Sequence, residues 1–287
     1  MQEFHHRLVS SAVLIAVVFA TLFWLPLWAY AIVVTGFVAI ALFEFFTMVR
    51  HRGVLVHRPL CIGLGVIFTL LVTWRSLVEP GYILAPMPGD SVTVIRWAWD
   101  VFWPVTIIVI FLRQFTRQNT FETLSGIATT LFGLAYVAGL LSYLLYIRVL
   151  KHEHGAWLVL FLIIVTKMAD VGALIVGKLM GRHTLMPRIS PNKTVEGFVG
   201  AILCSAAAAV LASPMVLKLA HAPLTAISLG LLLGLVGQVG DLAESLIKRD
   251  CQVKDSSRLF PGLGGMLDVL DSLLFTAPLF YAFLIYG

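Results

Sequence analysis

Long apolar runs, broken by short polar stretches, follow one another from about residue 8 to the end of the chain. A helix needs about 20 apolar residues to cross roughly 30 Å of hydrocarbon. The pattern supplies nine such segments, at roughly 8–26, 29–48, 60–78, 98–113, 124–147, 156–177, 197–214, 223–240 and 271–286. It therefore predicts an all-α, polytopic integral membrane protein with about nine transmembrane helices.

The polar breaks are distributed unevenly. In the first half they are short turns, such as WLPLW from Trp24 to Trp28, and one longer Pro- and Gly-containing loop at 79–97. The second half has two long polar stretches, 178–196 and 241–270, and these hold most of the unusual carboxylates. The chain accordingly divides into an N-terminal transmembrane region, 1–150, and a C-terminal region, 151–287, whose two loops are the place to look for chemistry. One of them ends in the octapeptide SPNKTVEG, Ser190 to Gly197, which is unusually polar for its surroundings. Ser190 and Pro191 read as a turn and Thr194 to Gly197 as a helix entry.

Composition agrees with the pattern. Of 287 residues, 60% are hydrophobic and 12% charged, against about 25% charged in soluble domains. The net charge of +5 does not call for nucleic acid in such a chain, because cytoplasmic loops and anionic lipid favour basic residues. With the N-terminus cytoplasmic, the inner side receives Arg7, Arg50, Arg52, Arg58, Arg113, Arg117, Lys178, Arg182, Arg188, Lys193, Lys248, Arg249, Lys254 and Arg258. The outer side receives only Arg75, Arg96, Arg148, Lys151 and Lys218. Both polar stretches then face the cytosol across a membrane of the bacterial inner (plasma) type.

Arg7 before an apolar run looks like a signal peptide, but no small-residue cleavage site follows, and the segment reads as a retained first span. Trp24, Trp28, Trp74, Trp97 and Trp99 fall where membrane interfaces are expected. Cys61, Cys204 and Cys251 are too scattered for a disulfide framework or a thiolate metal site. The histidine pairs lack any ligand-spaced partner set.

The most informative stretch is QVGDLAESLIKRDCQVKDSSRLFPGLGGMLDVLD, Gln238 to Asp271. On a helix, Asp241, Glu244, Ser245 and Lys248 share one face. Lys254 and Asp255 add a second cation and carboxylate, Pro261 and Gly262 interrupt regular structure, and Gly264 with Gly265 permits close backbone approach. Asp268 and Asp271 lie one turn apart at the predicted start of the last span. Oxygen donors interleaved with cations suit a Mg²⁺-nucleotide, the acids for the metal and the bases for phosphate. The plainer alternative is a solvated loop in which Asp271 N-caps the last span. Lys167 and Asp170, three residues apart within the sixth span, form a further polar pair. It can be read as an ion pair, as a contact near a lipid headgroup or as a transporter's coupling pair.

These residues resemble the phosphatidate cytidylyltransferases, or CDP-diacylglycerol synthases. Ser245, Lys248, Arg249, Lys254, Asp255, Ser257, Phe260, Pro261, Gly264, Gly265, Met266, Asp268 and Asp271 fit the family's C-terminal signature without a gap, with Leu263 in place of the usual His and Val269 in place of the usual Arg. Asp170, Gly172, Gly177, Gly181, SPNKTVEG and Gly240 to Leu242 are similar to its upstream blocks.

The resemblance implies CTP and phosphatidic acid as substrates at the bilayer surface, Mg²⁺ as cofactor, CDP-diacylglycerol and pyrophosphate as products, and a homodimer. It points to Asp241 and Asp268 as metal ligands, with Asp271 and Asp255 behind them. Lys248, Arg249, Lys254 and Asp255, with Lys193, are the catalytic candidates. Arg188, Ser190, Glu196, Ser245, Gly264, Gly265 and Asp170 are the candidates for substrate binding, with Glu196 expected to orient Lys193 by pairing. A related CTP-dependent lipid enzyme, or an inactive paralogue, would share the same signature.

Overall fold

The computed structural model describes residues 2–78, 89–116, 122–150, 154–216 and 222–286. Residues 79–88 of the predicted outer loop, together with Arg117, Lys151 and Lys218, lie outside them. The chain is helical almost throughout. In order the elements are α1 (Gln2–Phe23), α2 (Leu27–His51), α3 (Arg58–Val78), α4 (Gly89–Phe115), α5 (Thr123–Gly133), a π-helical turn (Leu134–Gly139) and α6 (Tyr143–Leu150). There follow α7 (Gly155–Met180), strands β1 (Thr184–Met186) and β2 (Ser190–Thr194), α8 (Val195–Leu211), a 3₁₀ turn (Ser213–Met215), α9 (Pro223–Asp250) and α10 (Met266–Tyr286).

Each predicted apolar segment is found as a helix or, in the case of α5 to α6, as one helical run. Among the described residues, seven of these are long and apolar enough to cross a membrane, while Ser10–Phe23 and Val195–Leu211 are shorter apolar helices. The protein is a polytopic membrane protein. Trp24, Trp28 and Trp97 are 78%, 65% and 66% exposed, as side chains facing lipid or its interface should be. Trp99 instead packs 5.4 Å from the Phe68 ring and receives the Arg75 guanidinium over its face.

Three differences from the predicted pattern bear on the site. Helix α9 continues past residue 240 to Asp250, because Asp241–Asp250 keeps helix-forming Leu, Ala, Glu and Lys with no Gly or Pro. Helix α10 starts at Met266 rather than 271. Ser190 and Pro191, expected as a turn, instead open a strand, Ser190–Thr194, paired antiparallel with β1, and Pro191 is tolerated because a two-stranded sheet consists of edges.

The chain forms two compact units. One comprises Met1–His152 with Cys251–Leu267, the other Glu153–Asp250 with Asp268–Gly287. In the first, α2 supplies the core through Leu42, Phe45, Phe46 and Met48, all at most 1% exposed, and the Tyr30 hydroxyl donates to the Leu144 carbonyl at 3.3 Å. In the second, α7, α8 and α9 pack through small residues. A Cβ at Gly172 would sit 2.6 Å from that of Cys204, and one at Gly234 would sit 2.8 Å from that of Ser205. Such stripes let membrane helices approach closely where no hydrophobic force drives them together.

Candidate active site

The β1–β2 hairpin is where the second unit's charged residues begin to converge. Thr194 ends β2 in an extended conformation, and its Oγ1 accepts the Gly197 N–H at 3.1 Å, which makes it the N-cap of α8. The octapeptide is thus a strand, a cap and the first helical turn in succession. Arg249 Nε donates to the Ile189 carbonyl at 3.1 Å, and Lys193 Nζ lies 2.6 Å from Asp241 Oδ2. Both contacts fasten the hairpin to α9.

Glu196 does not pair with Lys193, which corrects the expected arrangement. It sits in the first turn of α8 and turns back to residues 182–183. Its Oε1 is 2.7 Å from His183 Nδ1, and its Oε2 accepts the Arg182 and His183 backbone N–H groups at 3.1 and 3.3 Å. The His183 hydrogen bond first, then the Arg182 N–H, holds its carboxyl down at about 2. A depressed carboxylate contributes its full stabilisation above the unfolded value of 4.5, and the contribution disappears as pH falls through about 2. In His183→Ala the Glu196 carboxyl should titrate measurably higher, between about 2 and 4.5, as read by the carboxyl carbon shift in labelled protein. An unmoved titration would show that His183 is not the main cause.

On α9, Asp241, Glu244 and Lys248 project in the register expected of one helical face. Lys248 Nζ lies 2.5 Å from Glu244 Oε2 and 2.6 Å from Asp268 Oδ1 on α10. Glu244 is fully buried, and the Lys248 and Asp268 side chains are about one-tenth exposed. The helices come this close because Gly240 has no Cβ, which would lie 2.8 Å from the Asp271 carbonyl oxygen. Asp271, buried one turn into α10, has its Oδ1 2.5 Å from the Ser272 backbone nitrogen, and it feels the charges of Asp241, Lys167 and Asp170. Since α10 begins five residues earlier, Asp271 does not cap it.

In the same unit, Lys167 Nζ donates to Asp170 Oδ2 at 3.0 Å and to Ser272 Oγ at 3.2 Å. Thr166 and Thr276 hydroxyls meet at 3.2 Å beside it. Ser190 and Ser245 are half-buried, and Arg188 is exposed on the hairpin turn.

Lys254, Asp255, Gly264 and Gly265 belong to the first unit. Lys254 and Asp255 are exposed. Phe260 and Gly264 exchange backbone hydrogen bonds of 2.8 and 3.1 Å around a turn, which Gly264 permits with φ +93°. Glu44, a carboxylate not singled out from the sequence, lies against this segment. Its Oε1 accepts from the Ser257 hydroxyl at 2.6 Å and the Met266 N–H at 2.9 Å, and its Oε2 from the Ser256 hydroxyl at 2.9 Å and the Leu267 N–H at 2.8 Å. The close approach allowed by Gly265 is to this cluster, since a Cβ there would fall 2.5 Å from Glu44 Oε2 and closer still to Ser256 Oγ. The only hint of Glu44 in the sequence was a single charge inside the run LFEFF, which in a membrane span must find a partner.

The chain matches the cytidylyltransferase family over residues 5–286. It belongs to that family. Phosphatidate cytidylyltransferase of Bacillus subtilis (strain 168) is 34% identical over 274 residues, covering 95% of each chain. The protein of the same name from Synechocystis is 32% identical over 305 residues, covering 97% of this chain and 96% of its own. An uncharacterised Escherichia coli (strain K12) protein, YnbB, is 41% identical over 161 residues, which is 56% of this chain and 52% of YnbB.

For this family member the second unit supplies a compact charged cluster in which Asp241 and Asp268 are each held by a lysine. Among the described residues no three His, Cys, Asp or Glu side chains already form a metal-holding group. The donors nevertheless suit a hard cation. All are carboxylate oxygens, and Glu244 Oε1 is buried with no hydrogen-bond donor.

Proposed function

We propose that the protein is a CTP:phosphatidate cytidylyltransferase acting at the cytosolic face of the membrane. A phosphate oxygen of phosphatidic acid bonds to the α-phosphorus of CTP, the bond from that phosphorus to the β-phosphate oxygen breaks, and pyrophosphate leaves with CDP-diacylglycerol as the other product. The observation that carries this reading is the Lys193–Asp241 pair beside the Glu244–Lys248–Asp268 triad. These residues lie within the stretches that resemble the family's signature blocks. Near full-length relatives carrying the phosphatidate cytidylyltransferase name support the choice of substrates.

Two anionic phosphates must meet, so the site has to neutralise repulsion and hold them in line. Asp241 and Asp268 would hold Mg²⁺, with Asp271 behind them, and the bound ion supplies charge neutralisation at the phosphates. Lys193 and Lys248 do two things in this scheme. They hold the two aspartates in place, and their ammonium groups would offer positive charge to substrate phosphate beside those carboxylates. Arg249, Arg188 and Ser190 lie on or beside the hairpin fastened to α9 and are proposed to contact substrate phosphate. By the family resemblance alone, Ser245, Asp170, Gly264 and Gly265 are assigned to substrate and Lys254 and Asp255 to catalysis, and catalysis is assigned to region 151–287.

The test is to reconstitute the full-length protein in nanodiscs and follow pyrophosphate release with CTP, dCTP or ATP, offering phosphatidate or other anionic lipids. Release that requires both CTP and phosphatidate supports the proposal. Flux of a solute without CTP, or release with a different acceptor only, would replace it with a transporter or a related lipid enzyme.

A further inference from the structure

We infer that Glu44 is a positioning residue for the reaction, a buried clamp that sets the shape of the signature segment Cys251–Leu267. The inference rests on the proposed cytidylyl transfer for its catalytic meaning, and on geometry alone for the clamp. A carboxylate that is 2% exposed accepts four hydrogen bonds, two from Ser256 and Ser257 and two from the Met266 and Leu267 backbone. Its acceptor sites are filled, and no surface salt bridge is involved.

The four donors come from the two ends of one loop, so a single side chain closes it. Two of them are N–H groups at the start of α10, which have no partner within the helix and which favour a negative charge. The segment so closed carries Gly264 and Gly265, and Lys254 and Asp255 directly precede the first pair of donors. Backbone N–H groups cannot rotate away as hydroxyls can. Glu44→Gln therefore keeps the size of the side chain but points an amide donor at one fixed donor.

Hydrogen exchange and steady-state kinetics on the full-length protein in nanodiscs test this together. In Glu44→Gln, exchange in peptides covering 256–267 should accelerate about tenfold or more, while peptides of α7 and α8 stay at wild-type rates. The kcat for pyrophosphate release should fall about ten- to a hundredfold with KM for CTP within about threefold. Ser257→Ala, which removes a single donor and leaves the carboxylate, should show the same pattern in smaller measure, and it serves if Glu44→Gln does not fold. Unchanged exchange at 256–267, equal loosening of every helix, or a rise in KM at constant kcat overturns the positioning role. A wild-type protein that transfers no cytidylyl group overturns the functional reading instead, and the clamp is then decided by the exchange data.

Discussion

Asp268→Asn and Asp241→Asn are each expected to lower CTP-dependent pyrophosphate release by about two to three orders of magnitude, since removing one hard ligand forfeits several kcal/mol of charge stabilisation at about 1.4 kcal/mol per tenfold. The two variants should nevertheless remain folded. Asn keeps the shape of Asp, and Lys248 retains Glu244 in one case, while in the other the buried Lys193 ammonium keeps the side-chain oxygen of Asn as an acceptor. The fall should be only partly recovered by raising Mg²⁺. Wild-type rates in both variants would remove these aspartates from the site and leave the triad as a structural feature of the α9–α10 contact.

Lys248→Met should have the largest effect on stability. The ammonium lies between two carboxylates, one fully buried and one nearly so, and removing the cation leaves both uncompensated. Breaking a buried ion pair by deleting one partner costs about 3–5 kcal/mol, and here two acids lose the same partner. The double variant Glu244→Gln/Lys248→Met, with one of those charges removed, should regain a substantial part of the loss. Reversible unfolding in bicelles measures both. A Lys248→Met midpoint equal to wild type would mean that water already reaches the triad, and the account of a closed triad held together by Lys248 would fail.

Much of this architecture could be read from the sequence because it depends on local periodicity. Apolar runs of helical length gave the helices, and the i, i+3, i+4, i+7 spacing put Asp241, Glu244 and Lys248 on one face, as found. The errors lie where the deciding contact is distant in sequence. SPNKT has neither period and becomes a strand only through β1. Glu196 is three residues from Lys193, yet it is captured by His183 and two backbone N–H groups, while Lys193 reaches Asp241.

The start of α10 illustrates the same point. Local capping rules favour Asp271, an acid at the edge of the apolar run. The first N–H groups of α10 are instead taken by Glu44, more than 200 positions earlier in the chain, and the helix begins sooner. A charge in an apolar run announces that it has a partner, but the sequence does not say which one.

The most direct test of the central claim follows two labels of CTP separately. The purified protein in nanodiscs containing phosphatidate receives CTP radiolabelled at the α-phosphate or at the γ-phosphate, and lipid and aqueous phases are counted after extraction. The account predicts that the α label enters the lipid phase as CDP-diacylglycerol while the γ label stays in water as pyrophosphate, and that both movements need Mg²⁺ and Asp268. A γ label that enters the lipid would make the protein a CTP-dependent kinase, and labels that both stay in water whatever the lipid would contradict cytidylyl transfer altogether.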